Sequence, residues 1–224
     1  MTPGTPERVI AIDGPSAAGK STVARRLADR LGRLYVDSGS LYRAVTRCAL
    51  EEGVAAGNAA GLLRLVGELE VAFFRAGGAV RFRIRGAEPG GELRDEAVNR
   101  CVSEVSAVPG VRRRVVAWLR ETIRFGDLVM EGRDIGTAVF PETRFKFFLD
   151  ASPEERARRR HREYAGTGPA AAAVATSLRR RDAIDAGRAT DPLRAARDAV
   201  VVDSTDLTVE QVVERIASRI RAAQ

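Results

Sequence analysis

Four short runs of almost unbroken apolar residues punctuate the chain: Val9–Asp13, Leu128–Glu131, Phe145–Asp150 and Ala199–Asp203. Continuous apolar runs of this length predict strands buried on both faces of a parallel sheet. Helical spacing fills the intervals. Val23, Leu27 and Leu31 recur on one face of a helix over Thr22–Leu31 that stops at Gly32. Val209, Val212, Val213, Ile216 and Ile220 form the apolar face of a C-terminal helix, with Thr208 and Gln211 spaced for a capping box. The alternation predicts an α/β core with a parallel central sheet flanked by helices.

The middle breaks the rhythm. Gly77-Gly78 separates two β-prone runs, and the second alternates Val80, Phe82 and Ile84 with arginines. That is a hairpin signal. With Glu88–Leu93 it predicts a small antiparallel sheet, between helical stretches near 58–69 and 95–107. Residues 58–107 thus read as a small α+β insert in a core formed by 1–57 and 108–224. Residues 153–185 begin PEERARRRHREY, break at GTGP and resume as a second helix. They predict an exposed, arginine-bearing helical lid. His161, the single histidine, reads as a solvated residue of that lid.

Composition narrows the class. The 224 residues are 45% hydrophobic and 30% charged, enough for a sizeable core and ordinary for a soluble globular protein. No apolar stretch reaches a membrane span, and the start MTPGTPER has no signal-peptide apolar region, so a cytoplasmic protein is expected. Cys48 and Cys101 have no metal or redox spacing. The net charge of +7 suggests nucleic acid, but the basic residues are interleaved with acids and almost all arginine, lysine standing only at 20 and 146. A site for several phosphates accounts for the charge without a nucleic-acid partner. No long apolar heptad is present, and a monomer is expected.

Chemistry enters after the first strand. Gly14-Pro15-Ser16-Ala17-Ala18-Gly19-Lys20-Ser21-Thr22 fits the phosphate-loop pattern G-x-x-x-x-G-K-[ST], with a strand before it and a helix after. Glycines let the backbone approach phosphate closely, backbone N–H groups point inward, and the helix N-terminus adds positive potential. Lys20 is placed for the β- and γ-phosphates and Ser21 for Mg²⁺. The loop by itself says only nucleoside triphosphate. A guanine-reading N-K-x-D is absent, and Val129-Met130-Glu131-Gly132 is a poor version of the acidic strand end of large ATPases.

Four further segments carry a resemblance: VDSGSLYRAV (36–45), MEGRDIGTAVFP (130–141), RRRDAIDAGRATDPL (179–193) and DAVVVDST (198–205). Together with GPSAAGKST they resemble, in order, the signature segments of bacterial cytidylate kinases. The insert resembles the extended monophosphate-binding insert of those enzymes. The resemblance implies a P-loop kinase fold that moves the γ-phosphoryl of ATP to CMP or dCMP. It implies that Arg43, Arg133 and Arg188 hold the acceptor phosphate, with Ser38 and Tyr42 in the same segment as Arg43. It implies that Asp134 reads the cytosine, with Ser103 and Arg112 as further base contacts, and that Arg181 and Asp185 hold the pentose and support the phosphates. Lys20, Arg133 and Arg188 are the candidates for catalysis. Arg156, Arg159 and Arg160 are lid candidates for the transferring phosphoryl group, with Arg159 assigned to ATP.

The residue types suit these roles. An acceptor monophosphate carries about two negative charges, and a guanidinium fork bonds phosphate bidentately. A carboxylate accepts from the N4 amine of cytosine, where uracil offers an acceptor instead. A phosphate oxygen is already an ionised nucleophile, so no general base is required. Asp13 and Asp37 are open between water-mediated Mg²⁺ contacts and a cap or turn role. The flap is alanine-rich, and Lys-Ser-Thr stands where many relatives have Lys-Gly-Thr. A kinase for another small acceptor (UMP, AMP or shikimate), a nucleic-acid-associated ATPase and a nucleotide sensor without turnover are the competing readings.

Overall fold

The computed structural model describes residues 5–163 and 171–223. The GTGP break expected in the lid lies outside them. Seven strands form one sheet in the order β3-β4-β2-β5-β1-β6-β7. They are β1 (Val9–Asp13), β2 (Leu34–Asp37), β3 (Val71–Ala76), β4 (Ala79–Ile84), β5 (Leu128–Gly132), β6 (Phe145–Asp150) and β7 (Val200–Asp203). The helices are α1 (Thr5–Arg8), α2 (Lys20–Leu31), α3 (Ser38–Glu51), α4 (Ala59–Glu68), α5 (Glu96–Ala107), α6 (Pro109–Glu121), α7 (Pro153–Glu163), α8 (Ala171–Gly187) and α9 (Val209–Arg221).

β1 sits between β5 and β6, both parallel to it, and all five of its residues are buried. Its alternate side chains feed two cores. Val9 and Ala11 join Val36, Met130, Leu41, Val45 and Leu119 on one face. Ile10 and Ile12 join Leu27, Leu149, Val212 and Ile216 on the other. Burial on both faces explains why this strand reads as a continuous apolar run. α2 stops where Gly32 turns left-handed at φ +64°, and α9 starts with the Thr208–Gln211 capping box.

The middle segment differs from expectation in two ways. The Gly77-Gly78 turn does join an antiparallel pair, with φ +55° and +71° as a two-residue hairpin requires. However, β4 also pairs with β2 through Tyr35 and Ala79, so the hairpin extends the central sheet. Glu88–Leu93 supplies no strand: a single bridge joins Ile84 to Ala87, and Gly91–Arg94 forms a 3₁₀ turn. Two glycines and a proline in that stretch oppose strand pairing.

The C-terminal ends of β1, β2 and β5 carry Asp13, Asp37 and Glu131, and the parallel register pairs Asp37 with Glu131. Crevices at the carboxyl ends of parallel strands are the usual ligand sites of such sheets. Beyond β5 the backbone makes a wide turn over Ile135–Val139. The Asp13 carboxylate fixes it, accepting from the N–H groups of Ile135 and Gly136 at 2.8 Å each. Of the two roles open to Asp13, the turn-holding one is therefore filled. Asp37 likewise caps α3, accepting from Ser40 N at 3.1 Å.

Candidate active site

A cleft of about 920 Å³ opens above those strand ends, large enough for two nucleotides placed end to end. Its donor half begins with the phosphate loop. At Gly14, φ is +148°, and a Cβ would lie 2.0 Å from the Leu149 carbonyl oxygen, so only glycine passes β6 here. Ala17 and Gly19 also take positive φ, at +61° and +93°. The residues from Ser16 to Val23 line the cleft, while Gly14 and Pro15 stand behind it. Lys20 Nζ donates to Pro15 O at 2.6 Å, across the base of the loop. Burial and the Arg133 charge bring the Lys20 ammonium down to about 7, against support from Glu131, Asp13 and Asp182. A buried cation this poorly compensated is a site for an incoming anion.

Ser21 stands beside Glu131, whose Oε1 accepts from Tyr35 OH at 2.8 Å. Burial, then the Asp37 charge, pushes the Glu131 carboxyl up. A hydroxyl and two carboxylates form a hard oxygen-donor set of the kind Mg²⁺ takes alongside substrate phosphates. Arg159 donates Nη1 to Ala18 O at 3.0 Å, Nη2 to Ser204 O at 2.6 Å and Nε to Glu155 at 2.8 Å. It thus lies rigidly along the donor half, beside Leu207, Val209 and Val212. The sequence reading had no signal for this small apolar wall.

The rest of the cleft gathers arginines. Arg133 donates Nε to Asp185 at 2.9 Å and Nη2 to Ser16 Oγ at 2.8 Å. Arg43, held on Leu93 O at 3.1 Å and Asn99 Oδ1 at 2.8 Å, is lowered to about 10 by burial and by Arg94, Arg160 and Arg133. Arg181 falls to about 9 for the same reasons, burial first and then Arg133, Arg43 and Arg160. Arg188 is lowered by burial and Arg112, and its Nε and Nη2 are buried with no hydrogen-bond partner among the described residues. Arg181 Nε, Arg160 Nε and Tyr42 OH are orphaned in the same way. Buried donors left unpaired are costly, and here they converge on one cleft.

The wide turn after β5 presents Arg133 and Asp134 side by side. Asp134 is 3% exposed, and burial pushes its carboxyl up against the pull of Arg112 and Arg188. Ser103 is buried and lines the cleft close by, with Ser106, which the sequence had not singled out. Ser38 donates to Glu131 O at 2.6 Å and also lines the cleft. Arg112 differs from expectation. It is 0% exposed and does not line the cleft; it backs Asp134, reaches Ser106 O at 3.3 Å and holds Asp191 at 3.2 Å.

The three lid arginines separate. Arg159 and Arg160 line the cleft, whereas Arg156 is turned toward Asp182 and the outside of the phosphate loop. His161 is half-buried instead of solvated and does not line the cleft. Among the described residues, no helix is long and apolar enough to cross a membrane.

Comparison with known proteins identifies the family. The family model for cytidylate kinase covers residues 10–222. The cytidylate kinase of Geobacter sulfurreducens is 43% identical over 95% of this chain and 92% of its own length. That of Geobacillus kaustophilus is 46% identical over 92% of this chain and 93% of its own. A solved structure of an uncharacterized protein from Eubacterium ventriosum aligns with a TM-score of 0.52 at 11% identity, over 96% of this chain and 99% of that one, a likeness of fold alone. With a phosphate loop, an arginine-lined cleft and a family match over residues 10–222, the chain belongs to the cytidylate kinase family and has the P-loop kinase fold.

Proposed function

We propose that the chain transfers the γ-phosphoryl group of ATP to CMP or dCMP, releasing ADP and CDP or dCDP. The observation that carries this is the cluster of Arg43, Arg133, Arg160, Arg181 and Arg188 facing the phosphate loop across one cleft. Burial first, and then the neighbouring guanidiniums, lower Arg43 and Arg181, and a second phosphate opposite the donor relieves that repulsion.

The donor phosphates lie in the loop formed by Ser16–Thr22, with Lys20 on the β- and γ-oxygens. Arg159 and the wall of Leu207, Val209 and Val212 take the adenine end. Ser21, Glu131 and Asp37 would hold Mg²⁺, which neutralises charge on the donor phosphates when bound. The acceptor phosphate sits among Arg43, Arg133 and Arg188. Asp134 accepts from the cytosine amine, with Ser103 beside it and Arg112 orienting the carboxylate from behind. Arg181 and Asp185 support the pentose and phosphate.

An oxygen of the acceptor phosphate bonds the γ-phosphorus as the bond to the β,γ-bridging oxygen breaks, and ADP leaves with that electron pair. The acceptor oxygen is already ionised, so the protein supplies alignment and fixed positive charge. Arg133 reaches both halves through Ser16 and Asp185 and is placed to follow the phosphoryl group across.

The test is ADP release from ATP and Mg²⁺ with CMP, dCMP, UMP, AMP, GMP or no acceptor. Strong turnover with CMP and dCMP, weak turnover with UMP and none without an acceptor is expected. Turnover with no acceptor, or only with nucleic acid present, overturns the reading.

A further inference from the structure

Ser16 is 2% exposed, and each of its three polar groups is held by a different residue. Its N–H donates to Asp182 Oδ1 at 3.1 Å. Its hydroxyl accepts from Arg133 Nη2 at 2.8 Å. Its carbonyl accepts from Arg156 Nη1 at 3.3 Å. Asp182 Oδ2 pairs with that same Arg156 nitrogen, and Arg156 Nε is tied to Ala151 O at 3.1 Å. One residue of the phosphate loop is therefore fastened to α7 and to α8 at once. The next residue, Ala17, holds a left-handed φ of +61°, a conformation that neighbours must enforce.

Asp182 and Arg156 do not line the cleft. Their side chains are 18% and 12% exposed, so the pair is partly withdrawn from water, where charge-assisted hydrogen bonds are strong. Asp182 stands three residues before Asp185 on α8, and Asp185 holds Arg133. The two carboxylates form one face of a helical turn. One grips the backbone of the loop, and the other grips the arginine bonded to the Ser16 hydroxyl. Arg181, which faces the cleft, lies on the same turn.

We infer that Asp182 is a positioning residue for phosphoryl transfer. Acting through Ser16 and Arg156, it fixes the register of α8, with Arg181 and Asp185, against the phosphate loop that holds the donor. In-line transfer needs the two phosphates registered closely, and a displacement of about 1 Å costs on the order of 100-fold in rate. This role rests on the phosphotransferase reading and adds a residue to it that contacts neither nucleotide.

The test compares the wild type with Asp182→Asn, Arg156→Met and the double variant. Asparagine keeps a carbonyl oxygen for the Ser16 N–H but sets an amide NH₂ against the Arg156 guanidinium. In Asp182→Asn, kcat with CMP should fall roughly 10- to 100-fold, while KM for CMP and ATP each stay within about threefold. The share of ADP released without CMP should rise. The double variant should be no slower than the slower single one, as for residues acting as a unit. Unchanged kcat in Asp182→Asn, a loss confined to one nucleotide's KM, or additive losses would overturn the inference. If Asp182→Asn does not fold, unchanged kcat in Arg156→Met overturns it equally. A wild type without CMP turnover would instead sink the functional reading itself.

Discussion

Arg112 stands directly behind Asp134, its Nη2 bonded to Asp134 Oδ2 and its side chain 0% exposed. Asp191 holds the other edge of the guanidinium, and the Tyr42 ring lies 5.5 Å from its Cζ. The arrangement commits one carboxylate oxygen to Arg112 and leaves the other for a base. Asp134→Ala should therefore lower kcat/KM for CMP by about 1–3 kcal/mol, the scale of one good polar base contact. The loss for UMP should be much smaller. Equal losses for both nucleotides would make Asp134 a structural ion-pair partner only.

Arg188 has a different signature. Its side chain is 2% exposed, its nearest carboxylate oxygen is Asp185 Oδ1 at 3.9 Å, and two of its nitrogens have no partner among the described residues. Those nitrogens suit an acceptor phosphate. Arg188→Met should weaken productive CMP use by about 2–3 kcal/mol, the range for hydrogen bonds to charged groups. ATP binding, measured by calorimetry, should persist. An unchanged CMP profile would remove Arg188 from the acceptor site.

Local pattern carried much of this molecule. β1, β5 and β6 are runs buried in a parallel sheet, whereas β7, read as buried on both faces, is the sheet's edge and leaves Val201 62% exposed; the phosphate loop is a contiguous motif set between strand and helix. β2 escaped because Leu34–Asp37 holds a single β-branched residue, against three in the equally short β7. The junction of Tyr35 with Ala79 is a contact across 44 positions, invisible to any window. The motifs pointed to Arg43, Arg133, Asp134, Arg181 and Arg188, which the fold brings to one cleft. Their placement was not legible: sequence cannot tell that Arg112 lies behind Asp134, or that Arg156 turns away from the cleft while Arg160 faces it. Glu131 looked like a poor acidic strand end, and only the fold brings it against Ser21.

Glu131 gives a metal-dependent prediction. Glutamine keeps the shape and an acceptor for Tyr35 OH but removes the charge beside Ser21. Glu131→Gln should raise the Mg²⁺ concentration for half-maximal activity about tenfold, the scale seen when a metal's supporting groups are altered. KM for CMP should not move. A superimposable Mg²⁺ curve would leave Glu131 as a strand-end residue that orders Tyr35.

Lys20 predicts opposite pH trends for affinity and stability. Its ordinary value is 10.5 and burial brings it down to about 7, so the free enzyme holds it increasingly neutral above that pH. ATP needs the cation, so binding takes up a proton, and affinity should fall up to tenfold per pH unit above about 7. Unfolding frees the amine to reprotonate. The unfolded chain binds more protons between about 7 and 10.5, so this group makes the nucleotide-free protein more stable as pH rises through that window. Asp13 acts in the window below. Burial raises it from 3.8 to about 7, so the folded chain binds more protons there, and stability from this group is lost as pH climbs toward 7. From these two groups together, nucleotide-free stability should pass through a minimum near neutrality. Calorimetric ATP titrations at pH 6 to 9, in buffers of different ionisation enthalpy, would read the proton uptake directly. Affinity that stays flat across that range, without proton uptake, would mean that Lys20 is already charged before the phosphates arrive.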